Sequence, residues 1–427
     1  LSIYNKKLFI VGVLKLKIWL KLSIAIVLGT IAGIFIKVDV VWFNNLLKFL
    51  SDISINSLLY LTSIYIVLNF FIGFYNLIKE KIYLKILSIF IIVLLISIIF
   101  SAILSIGIMN LDILQVGSSF RIYQIKEKPL LLPSFGDILL KTINKNIFSI
   151  FTDSNIYILP LIFVALILSI SSFLNQKKSI YFVEVVYSTE QILNLIVKAI
   201  LEIFPFGAIF IIFYIVKNNF FPYELQEIVK SENINYMVVL KLIINCILIS
   251  IVLIIIFSIF IRVVLKKNVF KILLSLLGAT LTAFVTGNTA ASLISLNEHL
   301  KKNSGIDESN ANVLTPLALL LNRSGTIIVS SVILMTLLYI YHLNIITFSI
   351  QILLFFLIIL FSFRLDGLND IGHLSLVAMV LNFPYLNFEE NSYLLFYLFV
   401  PLFSRISVAV DTLTSGFIIT ITSILTE

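Results

Sequence analysis

The 427-residue chain is 60% hydrophobic and 12% charged, with a mean hydropathy of +1.13. Soluble domains are roughly half apolar and about a quarter charged, so a water-soluble globular fold is excluded and a polytopic membrane protein is implied. The net charge of +8 does not point to nucleic acid, because the Lys and Arg residues fall mainly in short gaps between apolar runs, as membrane topology requires.

Apolar runs of about 20 residues, the length a hydrocarbon core of about 30 Å demands, recur along the chain. They predict helices at about Ile18–Phe35, Asn56–Leu77, Ile82–Met109, Asn155–Phe173, Ile192–Val216, Tyr236–Val264, Asn312–Tyr341 and Ser392–Leu425. The first run lacks a small-residue cleavage site, which argues against a removable signal peptide. Cys246, the only cysteine, sits inside an apolar run and reads as a buried thiol, so neither a disulfide framework nor a thiolate metal cluster is expected.

Two further segments, Lys271–Lys302 and Ile350–Leu386, are apolar but interrupted by polar residues near their middles. If each enters and leaves on one face, the basic clusters Lys6–Lys21, Lys79–Lys85, Lys177–Lys178, Arg262–Lys271 and Lys301–Lys302 share a side, and that side is the cytoplasm. The long connection 110–154 then lies outside despite its five basic residues. If each segment crossed once, Lys301 and Lys302 would face away from Arg262, so two re-entrant hairpins are the better prediction. Irregular backbone at membrane depth must be satisfied by protein or by a water-filled cavity. Two hairpins therefore point to a polar cavity of the kind secondary transporters build at mid-membrane.

The polar residues fall into four groups. "TAFVTGNTAASL", Thr282–Leu293, puts Gly287, Asn288 and Thr289 at the first hairpin tip, where they either contact a ligand or simply pack helices closely. "NRSGT", Asn322–Thr326, follows Pro316 and offers Asn322, Ser324 and Thr326 as closely spaced oxygens, with Asn322 and Ser324 as a candidate sodium site. Arg323 at this depth costs about 2.5 kcal/mol or more and is expected to be paired or functional. The second tip gathers Arg364, Asp366, Asp370 and His373, unless it is a solvated loop carrying a local ion pair. The last helix carries Arg405 and Asp411 six positions apart, about 120° round an ideal helix, so they are not expected to pair with each other. Arg323 is the predicted partner of Asp411. Glu298 and His299 are adjacent, but no metal-ligand spacing, serine elbow or phosphate loop accompanies them, so no catalytic residue is assigned and an enzyme is not expected.

The order of these pieces resembles the dicarboxylate/amino acid:cation symporter family, the glutamate transporters, over essentially the whole chain. "KIWLKLSIAIVLGTIAGIF" is similar to its first helix, "FPFGAIF" to its Ala-Pro-x-Gly-x-Phe element and "TAFVT" to the start of its first hairpin. "NRSGT" stands where the family has Asn-Met-Asp-Gly-Thr, and "AMVL", Ala378–Leu381, resembles the outgoing arm of its second hairpin. The resemblance implies an all-α integral membrane protein with about eight transmembrane helices and two re-entrant helical hairpins. It also implies a homotrimer, an elevator motion, sodium or proton coupling and no other cofactor. Residues 1–81 and 155–235 would form the scaffold, and 236–427 together with the third helix, within 82–154, the moving transport domain.

The departures fall on the chemistry. The serine-rich first tip becomes Asn288, Thr289 and Ala290, the sodium-binding Asp becomes Ser324, and Arg323 replaces Met. The second tip lacks the Gly-Val-Pro-Gly pattern. An ungapped register from "AMVL" places Val408, Asp411, Thr412, Ser415 and Ile419 on the family's Asp-x-x-Arg-Thr-x-x-Asn-x-x-x-Asp; a rival register, with an eight-residue deletion, puts Asp411 on the final Asp. The expected substrate site is therefore Asn288, Thr289, Arg323, Thr326, Asp370, Asp411, Thr412 and Ser415.

The expected function is transport of an amino acid or dicarboxylate with altered cation coupling. The partners would be a small-molecule substrate and the lipid bilayer, in a bacterial inner membrane with the N-terminus cytoplasmic. The alternative is a degenerate, non-transporting scaffold or sensor.

Overall fold

The computed structural model describes residues 17–36, 40–110, 158–220, 236–340, 348–363, 376–377, 380 and 399–426. Within them every regular element is helical: α1 Ile18–Phe35, α2 Val41–Lys79, α3 Tyr83–Asn110, α4 Ile158–Leu174, α5 Gln176–Ile215, α6 Tyr236–Val263, α7 Val269–Thr286, α8 Thr289–His299, α9 Glu308–Leu321, α10 Ser324–Ile340, α11 Phe348–Ser362 and α12 Val400–Thr426. Wide π turns extend α5 over Val216–Phe220 and α8 over Leu300–Ser304.

Eight helical stretches among the described residues are long and apolar enough to cross a membrane. They overlap the predicted set without coinciding. α7, predicted as a hairpin arm, qualifies by length and composition, whereas α4 is only 17 residues long. α1 has the bounds expected. α2 and α5 begin about 15 residues earlier than hydrophobicity indicates, because backbone hydrogen bonding continues past the apolar stretch. Polar residues in these extensions find partners along the helices: Lys217 donates to Asn44 at 2.7 Å and Tyr187 to Asn76 at 2.7 Å.

The predicted single helix Asn312–Tyr341 is two helices. Asn322 ends α9 in an extended conformation (φ −77°, ψ 116°), and α10 restarts at Ser324. The segment 271–302 also divides. Gly287, at φ +64° in the left-handed region that a side chain disfavours, ends α7, and Asn288 starts α8 by accepting the N–H groups of Ala290 (2.8 Å) and Ala291 (3.2 Å). The two arms fold back on each other: Thr282 meets Ser295 at 3.4 Å, and the His299 ring lies against Gly278. α7 and α8 thus form a helical hairpin, with Lys271 and Lys301 toward the same end. Most of the second expected hairpin lies outside the described residues, including Arg364, Asp366, Asp370 and His373; only α11 and the buried Leu376, Val377 and Val380 are described.

α1, α2, α4 and α5 pack chiefly on one another. α1 lies close to α5 because Gly29 and Gly33 carry no side chain there: a Cβ on Gly29 would sit 2.7 Å from the Ile209 carbonyl oxygen, and one on Gly33 2.7 Å from Val216 Cβ. Lys21 pairs with Glu202 along the same contact. α3 and α6–α12 pack around α10 and α12, which are buried on nearly every face. A helix apolar all round belongs in a core. α10, largely apolar beyond its first turn apart from Ser330, Ser331 and Thr336, is buried in this way, so the polar residues at its start and those of α12 sit at the centre of the fold.

Candidate functional site

A break in a buried helix leaves amide and carbonyl groups without helical partners. At the α9–α10 break, side chains supply them. Asn322, fully buried, accepts from the Ser324 N–H (3.3 Å) and hydroxyl (2.7 Å) through Oδ1. Its Nδ2 reaches three oxygens of α12: the Asp411 carbonyl (3.0 Å), Thr414 Oγ1 (2.6 Å) and Ser415 Oγ (3.0 Å). Since the Ser324 hydroxyl proton goes to Asn322, the Ser97 hydroxyl of α3, 2.9 Å away, donates to Ser324.

Asp411 caps α10 from outside its own helix. Its Oδ1 accepts the Gly325 N–H at 2.6 Å and its Oδ2 the Thr326 hydroxyl at 3.0 Å. Ser407 Oγ stands 3.2 Å from Thr326 Oγ1 and extends the chain. Arg323, also buried, lies within electrostatic reach of Asp411. A carboxylate at a helix N-terminus is stabilised by the unsatisfied N–H groups and the helix dipole, and here a neighbouring guanidinium adds to both. Close approach makes this possible: the Gly325 Cα lies against the Ser407 carbonyl, where a Cβ would overlap it.

Ser407, Asp411, Thr414 and Ser415 share one face of α12 because they stand at i, i+4, i+7 and i+8. Thr412 points elsewhere, to Ser292 of α8 at 3.1 Å, linking the hairpin to α12. Arg405 lies at the hairpin tip, its Cγ 3.2 Å from where a Gly287 Cβ would be, and donates to the Pro401 carbonyl at 2.5 Å. Arg405 and Asp411 thus serve different surfaces of α12, as their spacing predicts.

Of the expected site residues, Arg323, Thr326, Asp411 and Ser415 meet at the break together with Asn322 and Ser324. Asn288 caps α8, Thr289 is buried beside it, Thr412 joins the two groups, and Asp370 lies outside the described residues. Ser407 and Thr414 are legible in the sequence as polar neighbours of Asp411 on the last helix, whereas Ser97 and Ser292 are not. Serine and threonine are common in membrane helices, and nothing in their spacing marks a partner on another helix.

A second polar layer, also missed, joins α8 to α2, α5 and α9. Asn297 donates to Tyr65 and to Asn312, both at 3.0 Å, and Tyr65 donates to Glu298 at 3.4 Å. Lys301 stands 3.1 Å from Asn69, 3.7 Å from the buried Glu190 and 3.2 Å from Glu308. Among the described residues no three His, Cys, Asp or Glu side chains gather as a metal site.

A chain whose described residues are helical, include eight stretches apolar and long enough to cross a membrane, and bury polar groups at a broken helix and a hairpin tip is an integral membrane protein of the secondary-transporter class. The sequence model of the Sodium:dicarboxylate symporter family matches residues 18–423, and the chain belongs to that family. Comparison with curated proteins gave no match. The family assignment agrees with the resemblance read from the motifs.

Proposed function

We propose that the chain moves a small organic solute of the amino acid or dicarboxylate class across the membrane with altered cation coupling. The observation that carries this is the wiring of the α9–α10 break. A neutral hydroxyl, Ser324, stands where the family resemblance expects a carboxylate, and its proton is committed to Asn322. The one described carboxylate at the break, Asp411, already holds two donors and has Arg323 nearby. Hard cations are held by oxygen ligands, usually with a carboxylate among them. A fixed guanidinium supplies part of the positive charge that a coupling sodium would bring.

Asp411 also bears on the cargo. In the ungapped register it occupies the position that reads the substrate side chain, which favours a neutral or cationic amino acid over a dianion, a preference that Arg323 or Arg364 would reverse if either faced the ligand. Asn288, Thr289, Thr412 and Ser415 offer hydroxyl and amide groups for the remainder of the ligand, and Asp370 would complete the site from the second hairpin.

The packing of α1, α2, α4 and α5 on one another supports a scaffold role for them, with α3 and α6–α12 as the moving body of an elevator and both hairpins re-entrant. Lys79–Lys85, Lys177–Lys178 and Lys301–Lys302 gather toward one end of the bundle, as the contacts Asn76–Tyr187, Asn76–Ser309 and Lys301–Glu190 indicate. This supports a cytoplasmic assignment for that end in a bacterial inner membrane. A homotrimer follows from the resemblance.

Uptake by purified protein in liposomes, with neutral, cationic and acidic amino acids and dicarboxylates under separate sodium and proton gradients, tests the proposal. Uptake of a neutral or cationic amino acid with little sodium dependence is expected. Absence of both uptake and ligand-induced thermal shift across the panel would favour the scaffold or sensor role.

A further inference from the structure

A groove of about 520 Å³ opens on the outer surface where α6 ends and α7 begins. Its walls include Ile255, Ile259 and Val263 of α6, with Asn268 and Phe270 across the turn and Arg262 at one end. Ile255, Ile259, Arg262 and Val263 stand at i, i+4, i+7 and i+8, so one helix face carries both the apolar wall and the cation. The seven-residue step from Ile255 to Arg262 spans about 10 Å, the distance from acyl depth to the headgroup level at a helix end. Ile259, Val263 and Phe270 leave 56%, 66% and 69% of their surfaces uncovered by the chain, so the wall faces outward.

Arg262 is the cation that lines the groove, and close by in sequence Lys266 and Lys267 of the turn and Lys271 of the first turn of α7 carry further charge; all four cationic residues are exposed. Among the described residues none of them forms an ion pair. The start of α7 is not the source of positive charge, since Asn268 already accepts from Phe270 N–H (3.1 Å) and Lys271 N–H (3.4 Å). The side chains supply it. A free anion would have no use for the apolar wall, and a zwitterionic lipid none for four cations. Basic pockets beside membrane helices fit anionic headgroups, with each nearby Lys or Arg strengthening the attraction.

We propose that this groove binds one anionic glycerophospholipid, with its phosphate on Arg262 and one acyl chain along Ile259 and Ile255. The site is separate from the α9–α10 break and does not depend on transport.

Native mass spectrometry of the purified chain, titrated with phosphatidylglycerol or phosphatidylcholine, tests it. One phosphatidylglycerol per chain should survive activation that strips phosphatidylcholine. Arg262→Gln should weaken that adduct about fivefold, Phe270→Ala should also weaken it, and the control Lys177→Gln/Lys178→Gln should not. Equal retention of phosphatidylcholine would overturn the proposal. So would an unchanged adduct in Arg262→Gln, equal loss in the control, or full displacement by millimolar inorganic phosphate, which would mark a free-anion site.

Discussion

Asp411 on α12 caps a helix that is not its own: its Oδ1 takes the Gly325 N–H at 2.6 Å, 86 positions back in sequence. With the Thr326 hydroxyl on Oδ2, one carboxylate holds the α10 terminus to α12 and fixes both around the break. Losing it strands buried donors, each at a cost of about 1–3 kcal/mol. Asp411→Ala is expected to lower the apparent Tm in detergent markedly, and Asp411→Asn less, since an amide oxygen still accepts one bond.

Arg323 and Asp411 act on one another electrostatically. The double variant Arg323→Ala/Asp411→Ala should therefore lose less stability than the sum of the single variants. Non-additivity of about 0.5–3 kcal/mol is the range for coupled neighbours. Strictly additive Tm losses would show that the two charges are held independently.

Ser324→Asp restores a carboxylate at the break. There it faces the Asn322 Oδ1 acceptor and the Ser97 hydroxyl, with Asp411 close by. Without added cation the variant should be less stable than the parent, through like-charge repulsion. Sodium should recover part of the loss. The check is a Tm series in sodium against choline chloride; a parent-like profile in both salts counts against an ion site here.

Gly325 and Gly287 resist substitution for different reasons. At Gly325 an alanine Cβ overlaps the Ser407 carbonyl and meets Val410 Cβ at 2.9 Å, an overpacking cost of about 1–3 kcal/mol. At Gly287 a side chain would have to adopt φ +64°, costing about 1–2 kcal/mol, and would crowd Arg405. Thermal unfolding should rank Gly325→Ala and Gly287→Val well below an exposed control such as Gly107→Ala, where nothing lies within 4 Å.

Lys301 holds three elements at once, through Asn69 of α2, Glu190 of α5 and Glu308 of α9. Lys301→Met leaves Glu190 buried with Asn194 as its remaining described partner, an uncompensated charge worth about 3–5 kcal/mol. Adding Glu190→Gln removes that charge, and the double variant should regain part of the lost Tm. If α8 and α9 move against α2 and α5, the single variant should also alter cross-linking rates between engineered cysteines across that contact.

The sequence by itself determined the class, the approximate places of most helices and the family. Each rests on local, one-dimensional signals: apolar runs of membrane length, basic residues between them, and short motifs in a fixed order. It also placed Arg405 and Asp411 on different faces of α12, because helical spacing is set by the backbone. It could not settle where helices begin outside the apolar stretch, so α2 and α5 proved longer than expected. It could not see that Asn322 breaks α9 from α10 in full, because a break in a buried core is allowed only when distant groups satisfy the freed amides. Asp411 on α12 takes the Gly325 N–H, while Thr414 and Ser415 beside it hold the Asn322 side chain that takes the Ser324 N–H, with Ser97 on α3 against the Ser324 hydroxyl. These hydrogen bonds from α12 and α3 join residues 86 to 227 positions apart, and only the tertiary structure brings such atoms within about 3 Å.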